Sequence, residues 1–303
     1  MLDADAKIGG FSDGKAASNH VRNLAEILAK EHSQTGGIPE LRGGGLAVRL
    51  AKNKTEIEAA QAVRYKVFVE ELGVSCSEEE RSLKRDMDKF DARADHLLAI
   101  DTSIENGPKG VVGTYRLLRS DMIKRGENFY SAGEFDISQL LKFEGLLLEV
   151  GRSCVLKDYR RQVAMQLMWR GLTNYLFLHK IDVIFGCASL AGSDPKKHAK
   201  VLSYLYHNHL APPALRVKAL PERYVNMQMI PLDELNRREC LSELPALLKG
   251  YLRLGGFVGD GAVVDEDFKC TDVAVLVKTE LMTDKYYRHY ERQLRNALGE
   301  LSL

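Results

Sequence analysis

The stretch Leu146 to Arg170, LLLEVGRSCVLKDYRRQVAMQLMWR, leaves few folds open to this chain. Leu146-Leu147-Leu148-Glu149-Val150 is an apolar run too short for a helix, and it reads as a buried strand stopped by Gly151. A helix follows from near Tyr159. Val163, Leu167 and Leu178, with Met168, Leu172, Tyr175 and Leu176 between them, recur at helical spacing for about five turns. A strand that passes into a helix through a short basic turn is an anion site, because the first helical N–H groups lack internal partners. The same strand carries Glu149, with Arg152 just beyond it. A carboxylate inside an apolar strand is costly to bury alone. Two readings fit: a structural Glu149–Arg152 ion pair, or a catalytic base beside a phosphate-binding turn.

The flanking elements set this unit in a mixed α/β architecture. Leu46 to Leu50 alternates like a first strand, and Lys54 to Leu72 is a helix with Ile57, Ala60, Val63, Val67 and Phe68 inward. Residues 73 to 91 form a polar loop ending in Asp88-Lys89-Phe90-Asp91, long enough to be functional. Strands follow at His96 to Ile100 and Gly110 to Leu118, joined by a turn around Asn106-Gly107-Pro108. Beyond the central unit, Ile181 to Ala188 is a continuous apolar strand of the kind found mid-sheet. Asp194-Pro195 opens a helix to about His209, with Asp as cap and Pro at the first helical position. Arg223 to Ile230 is expected as a strand, Leu244 to Leu254 as a short helix and Thr271 to Lys278 as a last strand. The expected organisation is one mixed-sheet α/β domain over residues 46–284, a Gly-rich flexible extension over 1–45, and an amphipathic helix over 285–303. Within the extension, Val21, Leu24, Ile27 and Leu28 share one side of a short helix that docks on its own domain or lies on a membrane.

Composition excludes several classes. A chain of 303 residues with 45% apolar and 28% charged residues buries an ample core without metal or disulfide help. A net charge of +1 gives no global pull toward nucleic acid. The five cysteines include no CxxC pair and read as reduced thiols of a cytoplasmic protein. With no apolar run of roughly 18 residues and no apolar signal core, the chain is expected neither to span a membrane nor to be exported. His207 and His209 stand in HxH spacing without a carboxylate run or cysteine pair, so no metal is expected.

Four pairs carry a family resemblance: Arg64-x-x-x-Phe68, Asp88-x-x-Asp91, Gly113-x-Tyr115-Arg116-Leu117 and Glu149-x-x-Arg152. Their order and spacing resemble those of acyl-homoserine-lactone synthases. The later segments, GRSCVLKDYR, the FGCASLAGSDP stretch, LSYLYHNHLAP, LLKGYLRLGGFVGDGAVVDEDF and TDVAVLV, are more similar to a sister branch, the bacterial L-ornithine Nα-acyltransferases. The resemblance covers roughly residues 46–280. It implies a Gcn5-related N-acyltransferase-like mixed central sheet flanked by helices, with a C-terminal elaboration. It also implies transfer of a 3-hydroxyacyl group from acyl carrier protein to the α-amine of L-ornithine, with no bound cofactor.

One departure bears on the donor. Acetyl-CoA-using members carry a Gly-rich turn that lets the backbone approach the CoA pyrophosphate. The matching stretch here, Arg160-Arg161-Gln162-Val163-Ala164-Met165, has no glycine, and β-branched Val163 resists close approach. A carrier-borne phosphopantetheine, with one phosphate and no nucleotide, needs less of a cradle.

The reaction's demands then assign roles. An amine protonated at neutral pH needs a base for thioester aminolysis, and Glu149 is the candidate, with Arg152 beside it. The tetrahedral oxyanion needs donors, which strand N–H groups at Val150 or Gly151 supply. Arg116 or Arg152 suits the amino-acid carboxylate. Asp88 and Asp91 suit the distal ammonium, or form salt bridges to Arg64 or Arg116. Phe68, Leu72, Leu147 and Met165 are candidate walls of an acyl tunnel, and Tyr204 and Tyr206 candidate proton donors to the thiolate. Arg64 and Phe68 complete the substrate-binding set. Arg160 and Arg161, with Arg170, Lys196, Lys197 and Lys200, are candidate contacts for the acidic carrier protein. The basic aromatic tail Lys285-Tyr286-Tyr287-Arg288-His289 is a candidate peripheral contact with the inner membrane. The rival readings are a homoserine-lactone synthase and a non-catalytic carrier- or lipid-binding module on the same fold.

Overall fold

Ten strands form the frame of the computed structural model, which describes residues 37–160 and 162–282. The helix expected around residues 21–28, Arg161 and the tail from Lys285 lie outside these residues. The described chain begins with a hairpin, β1 (Leu41–Gly43) and β2 (Leu46–Leu50). Helix α1 (Lys54–Tyr65) starts at Asn53, whose side chain accepts from the Glu56 N–H, and continues as a π-helical turn over Lys66–Glu71. A short helix α2 (Glu78–Leu83) leads to β3 (Asp95–Asp101) and β4 (Val111–Arg119). Next come β5 (Phe135–Asp136), α3 (Ser138–Leu141), β6 (Leu147–Val155) and α4 (Gln162–His179). The chain continues with β7 (Val183–Ala191), α5 (Ala199–His209) and β8 (Lys218–Ala219). Helices α6 (Arg237–Glu243) and α7 (Ala246–Arg253) precede β9 (Phe257–Asp265) and β10 (Cys270–Lys278). Among the described residues the strands form one sheet in the order β1-β2-β3-β4-β6-β7-β10-β9-β8-β5.

The two faces of that sheet are covered differently. On one, Leu97, Leu117, Leu148, Ile184, Val275 and their neighbours pack against α4, α5 and α7. On the other, α1 covers Leu98 and Ile100, while the 129–140 segment, with Phe129, Phe135 and Leu140, covers Leu147, Phe185 and Leu276. Glu149 shares the second face with Leu147, because alternate residues of a strand point the same way.

The centre of the sheet is where it comes apart. β6 and β7 pair in parallel only from Leu147↔Val183 to Glu149↔Phe185, whereas β7 pairs with β10 along its whole length. Just past the last pair the two chains still touch: a Cβ on Gly186 would lie 2.2 Å from the Val150 carbonyl oxygen, so only glycine fits there. On its other side β6 carries a bulge against β4, where the register jumps between Thr114↔Cys154 and Arg116↔Gly151. Arg152 sits in that bulge with a left-handed φ of 51°.

Several sequence expectations change here. β6 runs through Gly151 to Val155, because the bulge absorbs the irregularity that the glycine signals. The following helix opens at Gln162, after a tight turn over Lys157–Tyr159. The strand expected at Arg223 to Ile230 is reduced to a single bridge, Val225↔Ala262. The N–H groups of Met229 and Ile230 donate instead to the Ser203 hydroxyl, which satisfies them without a neighbouring strand. The polar 73–91 stretch contains α2, opened by a reciprocal Ser77/Glu80 cap. No helix among the described residues is long and apolar enough to cross a membrane.

Candidate active site

A cavity of about 410 Å³ occupies the gap between β6 and β7. Its wall combines residues from both faces of the sheet. Arg116, Tyr130, Ser131, Glu149 and Arg152 come from one side, and Ile184, Leu247, Tyr251, Val275 and Val277 from the other. The passage therefore threads the sheet where the strands part, polar on one side and apolar on the other.

Glu149 lies at the last β6–β7 pair, 5% exposed, and is one of the residues lining the cavity. The backbone N–H of Ser131 donates to Oε1 at 2.7 Å and that of Tyr130 to Oε2 at 2.9 Å. Burial raises its pKa above the ordinary carboxylate value, and the Ser131 and Tyr130 hydrogen bonds and the Arg116 charge offset only part of that rise. The Glu149–Arg152 ion pair, one of the two readings of this strand, is not formed. The bulge turns Arg152 toward Asp86 (3.5 Å) and Asp88 (3.4 Å), with its guanidinium between the rings of Tyr130 (4.6 Å) and Phe268 (4.7 Å). With no ion pair to Arg152, and with burial outweighing the Arg116 charge, Glu149 keeps its basicity.

Behind this wall stands a network of three arginines and three aspartates. Arg64, fully buried, grips Asp91 through two nitrogens (2.7 and 2.9 Å) and Asp86 at 2.6 Å. Arg116 reaches both oxygens of Asp88 at 2.6 Å and Asp91 at 3.1 Å. Gln61 adds a hydrogen bond to Asp91 at 3.0 Å. Burial alone would raise Asp91, but the Arg64 hydrogen bond and the Arg64 and Arg116 charges hold it well below the carboxylate range. Asp88 is lowered too, since the Arg116 and Arg152 charges outweigh its burial. Of the two roles open to Asp88 and Asp91, the structure shows salt bridging. Arg64, Asp88 and Asp91 do not line the cavity; they fix Arg116 and Arg152, which do.

The remaining candidates divide. Phe68, Leu72, Val150 and Gly151 line the cavity. Leu147 is buried in the core around Phe185, and Met165 is exposed, so neither is a tunnel wall. Tyr204 is buried in the α5 core and Tyr206 packs beside it; neither reaches the cavity. The tyrosines that do are Tyr130 and the pair Tyr115 and Tyr251, which are hydrogen-bonded to each other. Arg160 pairs with Glu71 and with the Val155 carbonyl oxygen at 2.8 Å. Lys200 pairs with Glu239. His207 meets the Ile230 carbonyl oxygen at 3.0 Å, while the His209 ring lies tilted against that of Tyr204. Among the described residues the group able to hold a metal is Glu134, Cys187 and Asp272, with one donor atom from each within 4.8 Å of the others.

Sequence reasoning missed Asp86, Tyr130, Ser131, Glu134, Asp265, Asp272 and Tyr251. Asp86 was signalled by its place two residues before Asp88. Asp265, Asp272 and Tyr251 lie inside segments that carried the ornithine-branch resemblance. Tyr130 and Ser131 act through backbone N–H groups, which leave no mark on side-chain identity.

Residues 63–170 match the acetyltransferase (GNAT) domain family. The chain is 46% identical over 252 residues to an L-ornithine N(alpha)-acyltransferase of Rhizobium meliloti (strain 1021), covering 82% of this chain and 85% of that relative. It is 44% identical over 252 residues to an L-ornithine N(alpha)-acyltransferase of Brucella abortus (strain 2308), covering 82% of this chain and 90% of that one. Among solved structures, it is similar to FeeM, an N-acyl amino acid synthase from uncultured soil microbes (TM-score 0.42, 12% identity, 77% of this chain and 91% of that one). It is also similar to BjaI, a CoA-dependent acyl-homoserine lactone synthase (TM-score 0.45, 12% identity, 78% of this chain and 81% of that one).

Proposed function

This chain belongs to the L-ornithine Nα-acyltransferase family, and we propose from that premise that its cavity moves a 3-hydroxyacyl group from acyl carrier protein to the α-amine of L-ornithine. The observation that carries the mechanism is the Glu149 carboxylate, presented to the cavity by two backbone N–H groups at the point where β6 and β7 part. Glu149 takes a proton from the ornithine ammonium as the nitrogen attacks the thioester carbonyl. A C–N bond forms, and the carbonyl oxygen becomes an oxyanion facing the β6 backbone at Val150 and Gly151. The carbonyl then re-forms as the C–S bond breaks, and the second proton lost by the nitrogen passes to the departing pantetheine thiolate. Arg116 and Arg152 line the wall beside the base and suit the amino-acid carboxylate. The apolar side, with Ile184, Leu247, Val275 and Val277, suits the acyl chain. A cavity of about 410 Å³ falls within the range of ligand sites.

The entrance to α4 supports a carrier-borne donor over free CoA. Val163 is half-exposed there, and the β1–β2 turn lies against it: a Cβ on Gly44 would come within 3.0 Å of its Cγ1. No glycine in the turn opens room for a nucleotide pyrophosphate. A hollow beside it is lined by Lys66, Glu71, Lys157 and Tyr159, with Arg160 held to Glu71. The carrier contact of Arg160 therefore requires exchange of one carboxylate for another. The amphiphilic product and the basic tail from Lys285 favour a cytoplasmic site of action at the inner membrane face, which vesicle co-sedimentation with and without residues 285–303 tests.

Incubation of the purified protein with 3-hydroxyacyl-carrier protein and L-ornithine, followed by mass analysis, is expected to yield the mono-N-acylated amino acid with its carboxylate and side-chain amine free. No acylated product, or a lactone formed when S-adenosylmethionine replaces L-ornithine, would overturn the reading. Turnover with 3-hydroxyacyl-CoA equal to that with the carrier thioester would overturn the donor assignment alone.

A further inference from the structure

On the side of the cavity occupied by Glu149 there is a second group of acids that the transfer step does not use. β9 and β10 bring Asp265 and Asp272 to the cavity wall, where Cys187 of β7 joins them. Glu134, from the segment before β5, stands behind, its carboxylate close to the Cys187 and Asp272 donor atoms. Ser131 links this group to the base. Its N–H donates to Glu149, and its hydroxyl lies 3.5 Å from the Cys187 sulfur.

Two features mark the group as more than a chance cluster. Glu134 is 3% exposed, yet its Oε2 has no hydrogen-bond partner. A buried carboxylate oxygen with no donor is a costly arrangement that a visiting cation relieves. The nearby cations do not relieve it. Arg223 spends its guanidinium on the carbonyl oxygens of Gly133 (3.0 Å) and Val264 (3.2 Å), and Lys269 lines the cavity without an ion pair to the group. The electrostatics agree. Burial, then the Asp272 and Asp265 charges, push Glu134 up to about 7 against the pull of Arg223. Asp272 is raised by burial despite hydrogen bonds from Cys270 and Ser189. Cys187 is raised well above its ordinary value by burial and then by Glu134 and Asp272.

We propose that Asp265, Asp272 and Glu134 form the subsite for the side-chain ammonium of the amino-acid acceptor. The inference rests on ornithine being the acceptor. Its carboxylate then faces Arg116 and Arg152, its α-amine Glu149, and its second amine this pocket, so that three charges are read from one side of the sheet. Asp88 and Asp91, the acids that sequence alone offered for this task, are already committed to arginine. Selection of a basic over a neutral amino acid falls instead to the β9–β10 pair.

The test compares equilibrium binding of L-ornithine and L-norvaline, the same carbon chain without the second amine, to the full chain by calorimetry. Turnover with 3-hydroxyacyl-carrier protein is measured in parallel. Wild type is expected to bind ornithine roughly ten- to a hundredfold more tightly than norvaline, the range of a charge-assisted hydrogen bond. Asp272→Asn is expected to erase most of that ratio, and Glu134→Gln to reduce it, with norvaline binding unchanged. A ratio retained in either variant, with a wild-type melting curve, overturns the subsite. So does a ratio near one in wild type, or a stoichiometric metal in wild type that Asp272→Asn loses. The expected binding pattern without turnover upholds the subsite and overturns the acyltransfer reading instead.

Discussion

Glu149 is pulled in two directions. Burial disfavours its charge, while two backbone donors and Arg116 favour it, and burial prevails. A carboxylate raised in this way is a better base than one in water and is ionised only above its ordinary range. Glu149→Gln is expected to lower kcat by about 10²- to 10⁴-fold, as loss of a general base does, with little change in the KM for ornithine. In wild type, kcat/KM should rise with pH through an acid limb above 4.5, and the variant should lack that limb. Asp91 is the opposite case. Its carboxyl is depressed in the folded state, so its contribution to stability is fully present above about 3.8 and is lost as pH falls toward the folded value. Asp91→Asn leaves Arg64 and Arg116 short of a partner in a buried site. It is expected to cost about 3–5 kcal/mol at neutral pH by urea denaturation, with the gap narrowing under acid conditions.

At the scale of elements, the parting of β6 from β7 depends on a close approach as much as on a separation. Gly186 lets its backbone lie against the Val150 carbonyl, which positions Glu149 at the last paired rung. Gly186→Ala must push the strands apart against backbone, and an overpacking cost of about 1–3 kcal/mol is expected, together with lost turnover. Thermal melting and steady-state rates of the variant check both. Periodicity made the elements around this point legible. β3, β4, β7, β10, α1, α4 and α5 follow apolar repeats that ordinary spacing reveals. β9 was hidden by its own glycines: Gly261 has a φ of +88°, and a Cβ on Gly259 would meet Val217 at 2.8 Å, so residues that read as turn markers are strand residues in close quarters. The site was legible in part for a similar reason. Glu149, Arg116 and Arg152 are side chains in a recognisable spacing, but their orientation depends on the β6 bulge and on Tyr130 and Ser131, and neither is written in residue type. The loop acids were legible as charges with two roles open, and only the folded chain shows that Arg64 claims Asp91 and Arg116 claims Asp88.

For the molecule as a whole, the described strands from Leu41 to Lys278 join one sheet, and the C-terminal elements supply a cavity wall. The chain has one tryptophan, Trp169 on α4, whose ring lies 4.9 Å from that of Tyr251 on α7. Its fluorescence therefore reports whether the C-terminal helices stay docked. Urea transitions followed by Trp169 fluorescence and by far-ultraviolet circular dichroism are expected to coincide, as they do for a single cooperative unit. An earlier fluorescence transition would mean that α7 and its neighbours unfold on their own. The cavity between β6 and β7 also constrains the order of events. Because its polar and apolar walls belong to opposite sides of the sheet, the proposed function gives fatty tail and amino acid separate compartments, and neither must vacate for the other to be seated. Initial rates measured against both substrates should accordingly give intersecting double-reciprocal lines, whereas parallel lines would indicate that the acyl group parks on the protein before the amine arrives.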